Sequence, residues 1–245
     1  MAISKFRFAP SPNGRLHLGH AYSALFTTCE AQKHHGHFLL RMEDIDHIRC
    51  KPELAEAAMD DLRWLGLIWS EAVRFQSRHM HEYVAIIDRL ERLGMLYPCF
   101  CTRAKLATIE GPKDPDGATI YPGFCKLMTK TDRSRKMTAG EPYALRLDMP
   151  RAIVAAETDL TFHEVGSGPH GETGTVRCRP DAWGDVILAR KDIATSYHIA
   201  VVHDDALQGI THVTRGLDLF HATSIHRLLQ SILEFPTPVY HHHKL

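Results

Sequence analysis

Two histidines flank a glycine in His17-Leu18-Gly19-His20, directly after the turn-forming run Pro10-Ser11-Pro12-Asn13-Gly14. Imidazoles at that spacing can each donate to a phosphate whose oxygens gain charge in a transition state. Gly19 leaves room for a flat base against the backbone. The strand-like run Phe6–Ala9 leads into the turn, and a helix-like segment from Leu18 to His34 follows it. Strand, tight turn and helix N-terminus is how α/β folds build a phosphate site, because free N–H groups and the positive end of the helix dipole meet there. With 18 histidines in 245 residues, H-x-G-H alone arises easily by chance. The preceding strand and the Pro-Ser-Pro-x-Gly turn give it weight.

A second chemical cluster follows at Leu39-Leu40-Arg41-Met42-Glu43-Asp44-Ile45-Asp46, an apolar strand ending in one arginine and three acids. Coming after a βα unit, these carboxylates should emerge at the carboxyl edge of the sheet beside the first βα turn, where open α/β sheets bind ligands.

Cysteines form the third cluster. Cys99-Phe100-Cys101 and the later Cys125 supply three thiolates, one short of a closed tetrahedral zinc site. Cys29, Cys50 and Cys178 read as structural or surface thiols.

The elements that must position these groups are legible as alternating strand and helix over residues 1–96. The stretch from Pro52 to Gly66 is a helix with proline near its start and glycine at its end. Arg78 to Leu93, closed by Gly94, is another. Strand-like segments return at Tyr143–Leu147, Val186–Ala189 and His198–Val202, and a last helix pattern runs from Asp218 to Leu233. This alternation predicts an α/β fold, a Rossmann-like doubly wound parallel sheet. The Cys-, Pro-, Gly- and Lys-rich stretch 97–136 reads as a small zinc-binding insert between two catalytic halves, 1–96 and 137–245.

A chain of 245 residues can bury one good core, or one core with a small insert. Its 44% apolar and 24% charged content is that of a soluble globular protein. Net charge is zero, which counts against a large nucleic-acid footprint but leaves room for a local basic patch. No apolar run is long enough to span a membrane, and Met1-Ala2-Ile3-Ser4-Lys5 carries no signal-peptide pattern. Six cysteines without such a signal point to the reduced cytoplasm, and to metal before disulfide.

Phe8–His20, Arg41–Asp46 and Tyr197–Gly216, in that order and over nearly the whole chain, resemble the class I glutamyl-tRNA synthetase family. The resemblance implies a ligase that activates L-glutamate with ATP and Mg²⁺ and transfers it to tRNA. Ala206-Leu207-Gln208-Gly209 and the length match short paralogues of that family without an anticodon-binding domain. Those paralogues attach glutamate to queuosine in the anticodon of tRNA(Asp). The alternatives are a glutamyl-tRNA synthetase core charging tRNA(Glu), or a catalytically impaired module that holds glutamate, ATP or tRNA. A monomer is expected.

The resemblance also assigns roles. Arg7 and Arg215 would hold the side-chain carboxylate of glutamate, a task suited to the two-pronged guanidinium. Ala9 and Ser11 would give backbone and hydroxyl contacts, Glu43 would take the ammonium, and Tyr197 would add a hydroxyl and a ring wall. His17 and His20 would be catalytic, with His17, Gly19 and His20 lining the ATP site. Tyr121 would join Cys99, Cys101 and Cys125 on a structural zinc. Asp44, Asp46, Asp204 and Asp205 are read as groups that fix arginines or, in part, meet Mg²⁺ through ATP.

Three departures stand out. The lysine-rich loop with which class I synthetases close over ATP is expected after Tyr240–Leu245, so the second half ends before it. Lys136-Met137-Thr138-Ala139-Gly140 resembles that loop by chance. Leu217 replaces the family's usual glutamate, and His203 an apolar residue.

Overall fold

Strand β1 (Lys5–Phe8) and helix α1 (Leu18–Lys33) open the chain, joined by the Pro/Gly turn. Strand β2 (His37–Met42), helix α2 (Pro52–Trp64), strand β3 (Arg74–Phe75) and helix α3 (Met80–Arg92) follow. The computed structural model describes residues 3–244. Met1 and Ala2, which begin the stretch read for a targeting signal, and Leu245, which ends the stretch read as a last strand, lie outside the described residues.

The middle of the chain runs through β4 (Leu96–Cys99), α4 (Arg103–Ala107), α5 (Lys130–Thr138), β5 (Ala144–Leu147) and α6 (Met149–Ala155). It continues with β6 (Thr161–Glu164), β7 (Gly174–Arg177) and β8 (Ile187–Ala189). The last part holds α7 (Tyr197–Leu207), β9 (His212–Gly216), α8 (Thr223–Leu233) and β10 (Val239–His243).

Among the described residues, the main sheet has seven strands in the order β3-β2-β1-β9-β10-β6-β7. Every pairing is parallel except β6 with β7. Pleating sends alternate residues of β2 to opposite faces. Phe38, Leu40 and Met42 pack with Ala24 and Ala31 of α1 and Ala55, Ala58 and Leu62 of α2. Leu39 joins the other core, with Tyr83 and Ile87 of α3, Ile199 and Val202 of α7, and Leu228 and Leu229 of α8. Helices therefore cover both faces, as a parallel sheet requires. From β1 the chain goes to β2 on one side, while β9 takes the other. The crevice at the carboxyl ends of β1 and β9 is the switch point where such sheets bind ligands.

Two expectations are corrected. His198–Val202 is not a strand but the first turns of α7. Ile199, Ala200, Val201 and Val202 are all buried, so the helix shows no polar face there, and an apolar run of that length reads equally as a buried strand. Gly209, at φ 66°, ends this helix in a left-handed conformation. Second, Tyr143–Leu147 and Val186–Ala189 do return as β5 and β8, but they pair antiparallel with β4 in a separate three-stranded sheet. The expected helix at Asp218–Leu233 starts with a 3-10 turn, Leu217–Leu219, before α8.

Candidate active site

The switch-point crevice is a cleft of about 570 Å³. Arg7, Ala9, Ser11, His17, Gly19, His20, Glu43, Tyr197 and Arg215 all line it. These residues come from the ends of β1, β2 and β9 and the starts of α1 and α7, and the sheet order alone gathers them. A second hollow of about 450 Å³ shares Ser11, Glu43 and Tyr197 and is rimmed by Arg49, Arg103 and Arg190. Another hollow, of about 650 Å³, lies between α2 and the Asp44 loop and is larger, but holds none of these residues. Chemistry, not size, selects the cleft.

His17 is the N-cap of α1. Its Nδ1 accepts from the Gly19 N–H at 3.1 Å, and His20 Nδ1 accepts from the His17 N–H at 3.2 Å. The rings lie 3.9 Å apart between centroids. Two backbone donors expected to be free for an anion are thus spent on imidazoles. In exchange, with each Nδ1 accepting, the neutral rings carry their protons on Nε2, available to donate outward. Burial, helped by His17, holds His20 below its ordinary value, so it is neutral near pH 7. A Cβ on Gly19 would come within 3.1 Å of the His17 ring, so glycine is what allows the two caps to interlock.

Arg7 donates to Asp205 at 3.0 Å and to the Thr214 carbonyl at 3.2 Å. Arg41, fully buried, donates to the same Asp205 oxygen at 2.8 Å and to Gln208 at 3.0 Å. Burial alone would raise Asp205, but Arg7 and Arg41 outweigh it and hold the carboxyl below the usual range. Asp204, the preceding residue on α7, accepts from Arg74, Gln76 and Tyr83 and lies 3.8 Å from Arg41 Nε. Asp46 accepts from Arg49 and Arg190. Three of the four acids thus fix arginines, whereas Asp44 accepts from the Ser77 N–H and hydroxyl.

Glu43 sits 3.5 Å from Arg41, and its N–H donates to the Pro10 carbonyl, tying the two loops together. Burial pushes its carboxyl up to about 7, against the pull of Arg41 and Arg7. An incoming cation would draw off the proton. The Ser11 hydroxyl lies 3.6 Å from Cys50 Sγ. Tyr197 begins α7, and burial raises its phenol.

Arg215 is held differently. Its Nε donates to His242 Nε2 at 3.1 Å, its Nη1 meets His226 Nδ1 at 3.0 Å, and its Nη2 donates to the Thr223 hydroxyl at 2.6 Å. Burial pushes His242 and His198 down to about 4 and His226 well below its ordinary value, so all three rings are neutral.

Sequence reading assigned no role to Arg41, although an arginine inside the apolar run Phe38–Met42 was a visible signal. It missed His226 and His242, for which there was no signal. Lys136, in α5, pairs at 2.7 Å with Glu141 beyond the helix end and does not line the cleft. His203 pairs with Glu82 at 2.9 Å, in the network that also holds Arg74. Leu217 packs against the core.

In the stretch read as an insert, Cys99, Cys101 and Cys125 are buried, with their sulfurs within 4.8 Å of one another. Cys101 Sγ lies 3.7 Å from Cys125 Sγ and 3.6 Å from the Tyr121 hydroxyl.

The family model for the catalytic domain of class I tRNA synthetases (E and Q) matches residues 4–245. The chain is 47% identical to the glutamyl-Q tRNA(Asp) synthetase of Rhodobacter capsulatus, over 98% of this chain and 86% of that protein. It is 36% identical to the glutamate–tRNA ligase of Aquifex aeolicus, over 99% of this chain but 49% of that protein. The crystal structure of a glutamate tRNA ligase from Elizabethkingia meningosepticum, in complex with its amino acid, superposes with a TM-score of 0.82 at 25% identity. That match covers 100% of this chain and 50% of the solved one. The fold, the matched span and these relatives agree, and the chain belongs to the class I tRNA synthetases of the E and Q type, as their catalytic domain.

Proposed function

We propose that this cleft joins L-glutamate to ATP as glutamyl-adenylate and passes the glutamyl group to queuosine in the anticodon of tRNA(Asp). One observation carries the reading. A buried arginine without a carboxylate partner among the described residues (Arg215), a carboxyl that an ammonium would ionise (Glu43) and two Nε2 donors at a helix N-terminus (His17, His20) share one cleft. Arg215, with Arg7 behind it, receives the side-chain carboxylate. Glu43 takes the ammonium, Ala9 and Ser11 line the loop beside it, and Tyr197 forms a wall. The α-carboxylate then attacks the α-phosphorus and pyrophosphate leaves. His17 and His20 stabilise the oxygens that gain charge, and Gly19 borders the base. Mg²⁺ accompanies ATP. A hydroxyl of the acceptor next displaces AMP from the carbonyl carbon. The proposed reaction belongs in the cytoplasm, with its tRNA.

The acceptor is supported by the R. capsulatus relative, whose name states it and which this chain matches over most of its length. Glutamate–tRNA ligases match over half of theirs, which favours charging of tRNA(Glu) less. Glutamate-dependent exchange of pyrophosphate into ATP tests activation. Labelled glutamate should then pass to queuosine-containing tRNA(Asp) and not to the same tRNA from cells lacking queuosine. Labelling of tRNA(Glu) instead would refute the acceptor.

The insert fits a structural zinc. Thiolates at about 2.3 Å from a tetrahedral ion stand about 3.8 Å apart, close to the 3.7 Å between Cys101 and Cys125. Phe100 N–H donates to Cys125 Sγ at 3.3 Å and Cys125 N–H to the Tyr121 oxygen at 2.8 Å, and Arg146 lies 3.9 Å over the Tyr121 ring. Each of these favours an anionic ligand. With Cys99, Cys101, Tyr121 and Cys125 all from the protein, the ion would brace the insert and take no part in the reaction.

A further inference from the structure

Glu164, at the end of β6, is fully buried beside the cleft wall and has no place in the reaction above. Its Oε1 accepts from the N–H of Gly166 at 2.8 Å and of His242 at 3.0 Å, and its Oε2 lies 2.5 Å from His242 Nδ1. Burial pushes this carboxyl up, but the His242 ring and the backbone donors hold it lower, so it stays ionised. An anionic acceptor at Nδ1 requires the His242 proton to sit on Nδ1. The Nε2 lone pair then accepts from Arg215 Nε at 3.1 Å, with the Thr223 hydroxyl beside it at 3.3 Å.

The other side of the guanidinium is held in the same way. His226 Nδ1 accepts from Arg215 Nη1, which leaves the His226 proton on Nε2, 3.2 Å from His198 Nδ1. Three of the five guanidinium N–H groups are thus committed to neutral acceptors in fixed directions. Among the described residues nothing takes the other two, which face a ligand. The Tyr240 ring, 5.4 Å from the Arg215 carbon, closes one face.

We propose that Glu164 and His242 are positioning residues for Arg215. The Glu164 carboxylate selects the His242 tautomer, and His242 Nε2 aims the guanidinium at the ligand carboxylate without neutralising it. The inference rests on the reading of Arg215 as the partner of the glutamate side chain, and deepens it. A carboxylate directly on Arg215 would compete with the substrate. A carboxylate one imidazole away orients the cation and leaves its charge in place.

The test uses the whole chain and L-glutamate. ¹⁵N spectra of histidine-labelled protein at neutral pH, with the His242 signals identified by their loss in His242→Asn, should show Nδ1 protonated and Nε2 bare. The reverse tautomer, or a doubly protonated ring, in the unmodified protein would overturn the proposal whether or not any variant folds. In Glu164→Gln the amide cannot accept from all three donors. Its NH₂ facing the ring drives the proton to Nε2, against the Arg215 N–H. Calorimetry should then show glutamate binding about tenfold weaker or worse, with ATP binding unchanged within about twofold. A flipped tautomer with unchanged glutamate affinity would defeat the positioning role while leaving Arg215 as the carboxylate partner. Unchanged glutamate affinity in Arg215→Met would instead defeat that underlying reading, and this inference with it.

Discussion

Arg7 and Arg215 line the same cleft and are both buried, yet their charges are met in opposite ways. Arg7 shares Asp205 with Arg41, and Glu43 and Asp204 stand close by. Cations and anions alternate there, and the cluster is nearly neutral as a unit. Arg215 is surrounded by His226, His242 and Thr223, which accept hydrogen bonds but carry no charge. A buried charge is costly unless something compensates it. In the Arg7 cluster the protein supplies the compensation, so the arginine serves the architecture. At Arg215 it is left for a ligand, so the arginine serves binding.

The largest expected effect separates these two roles. Arg215→Met removes charge-assisted hydrogen bonds of about 1.5–3 kcal/mol each, so glutamate affinity should fall about a hundredfold or more. Thermal stability should hardly change, because the lost group carried an uncompensated charge. Arg7→Met should weaken glutamate binding less but lower the melting temperature by several degrees, since Asp205 loses one of its two cations. Calorimetry and thermal melts on both proteins decide the matter, and equal profiles for the two variants would erase the distinction.

His20→Ala comes next. The ring's Nε2–H should matter only when the phosphate oxygens gain charge, so ATP should bind within a few-fold while adenylate forms about a hundredfold more slowly. Normal pyrophosphate exchange would reduce His20 to a helix cap.

Glu43 sharpens the comparison through pH. Its carboxyl titrates near 7 when folded, against an ordinary value of 4.5, so the folded state binds more protons between those values. Stability should therefore fall as pH rises through that window and stay lower above it. Glutamate affinity should do the opposite, rising about tenfold per pH unit up to about pH 7 as the ammonium finds an ionised partner. Glu43→Gln should flatten both curves. A wild-type affinity that ignores pH between 5 and 7 would show that Glu43 is not the ammonium partner.

The smallest effect belongs to the insert. Chelation, or Cys101→Ser, should expose the amides of residues 97–136 to hydrogen exchange. Glutamate affinity should stay within about threefold, because the cluster of Tyr97, Cys99, Cys101, Tyr121 and Cys125 is separate from the two cores that hold the cleft. Metal analysis showing no bound zinc, with freely titrating thiols, would remove the ion from this picture.

The order of elements and most of the cleft were legible because local rules govern them. A proline turn, a glycine-spaced histidine pair at a helix start, and acids after an apolar strand state their chemistry within a few residues. The errors arose where burial hides periodicity. α7 is apolar on every side over Ile199–Val202, so it carries no helical stripe. β5 and β8 look like any half-buried strand, and only their partners reveal a separate sheet.

Residue order alone dictates which side chains can act on a substrate and that strand and helix alternate to present them. Residue type sets donor, acceptor and charge, and spacing sets turn and cap. Tertiary packing is what turns Asp205 toward both Arg7 and Arg41 and gives the hydrogen bonds of Asp204 to Arg74, Gln76 and Tyr83, with Arg41 Nε 3.8 Å away. It also decided that Glu164, His242 and Arg215, from three separate strands, meet beside one cleft. Strand pairing across 78 residues joins Glu164 to His242, and no local pattern encodes a contact whose partners are brought together only by the closing of the sheet.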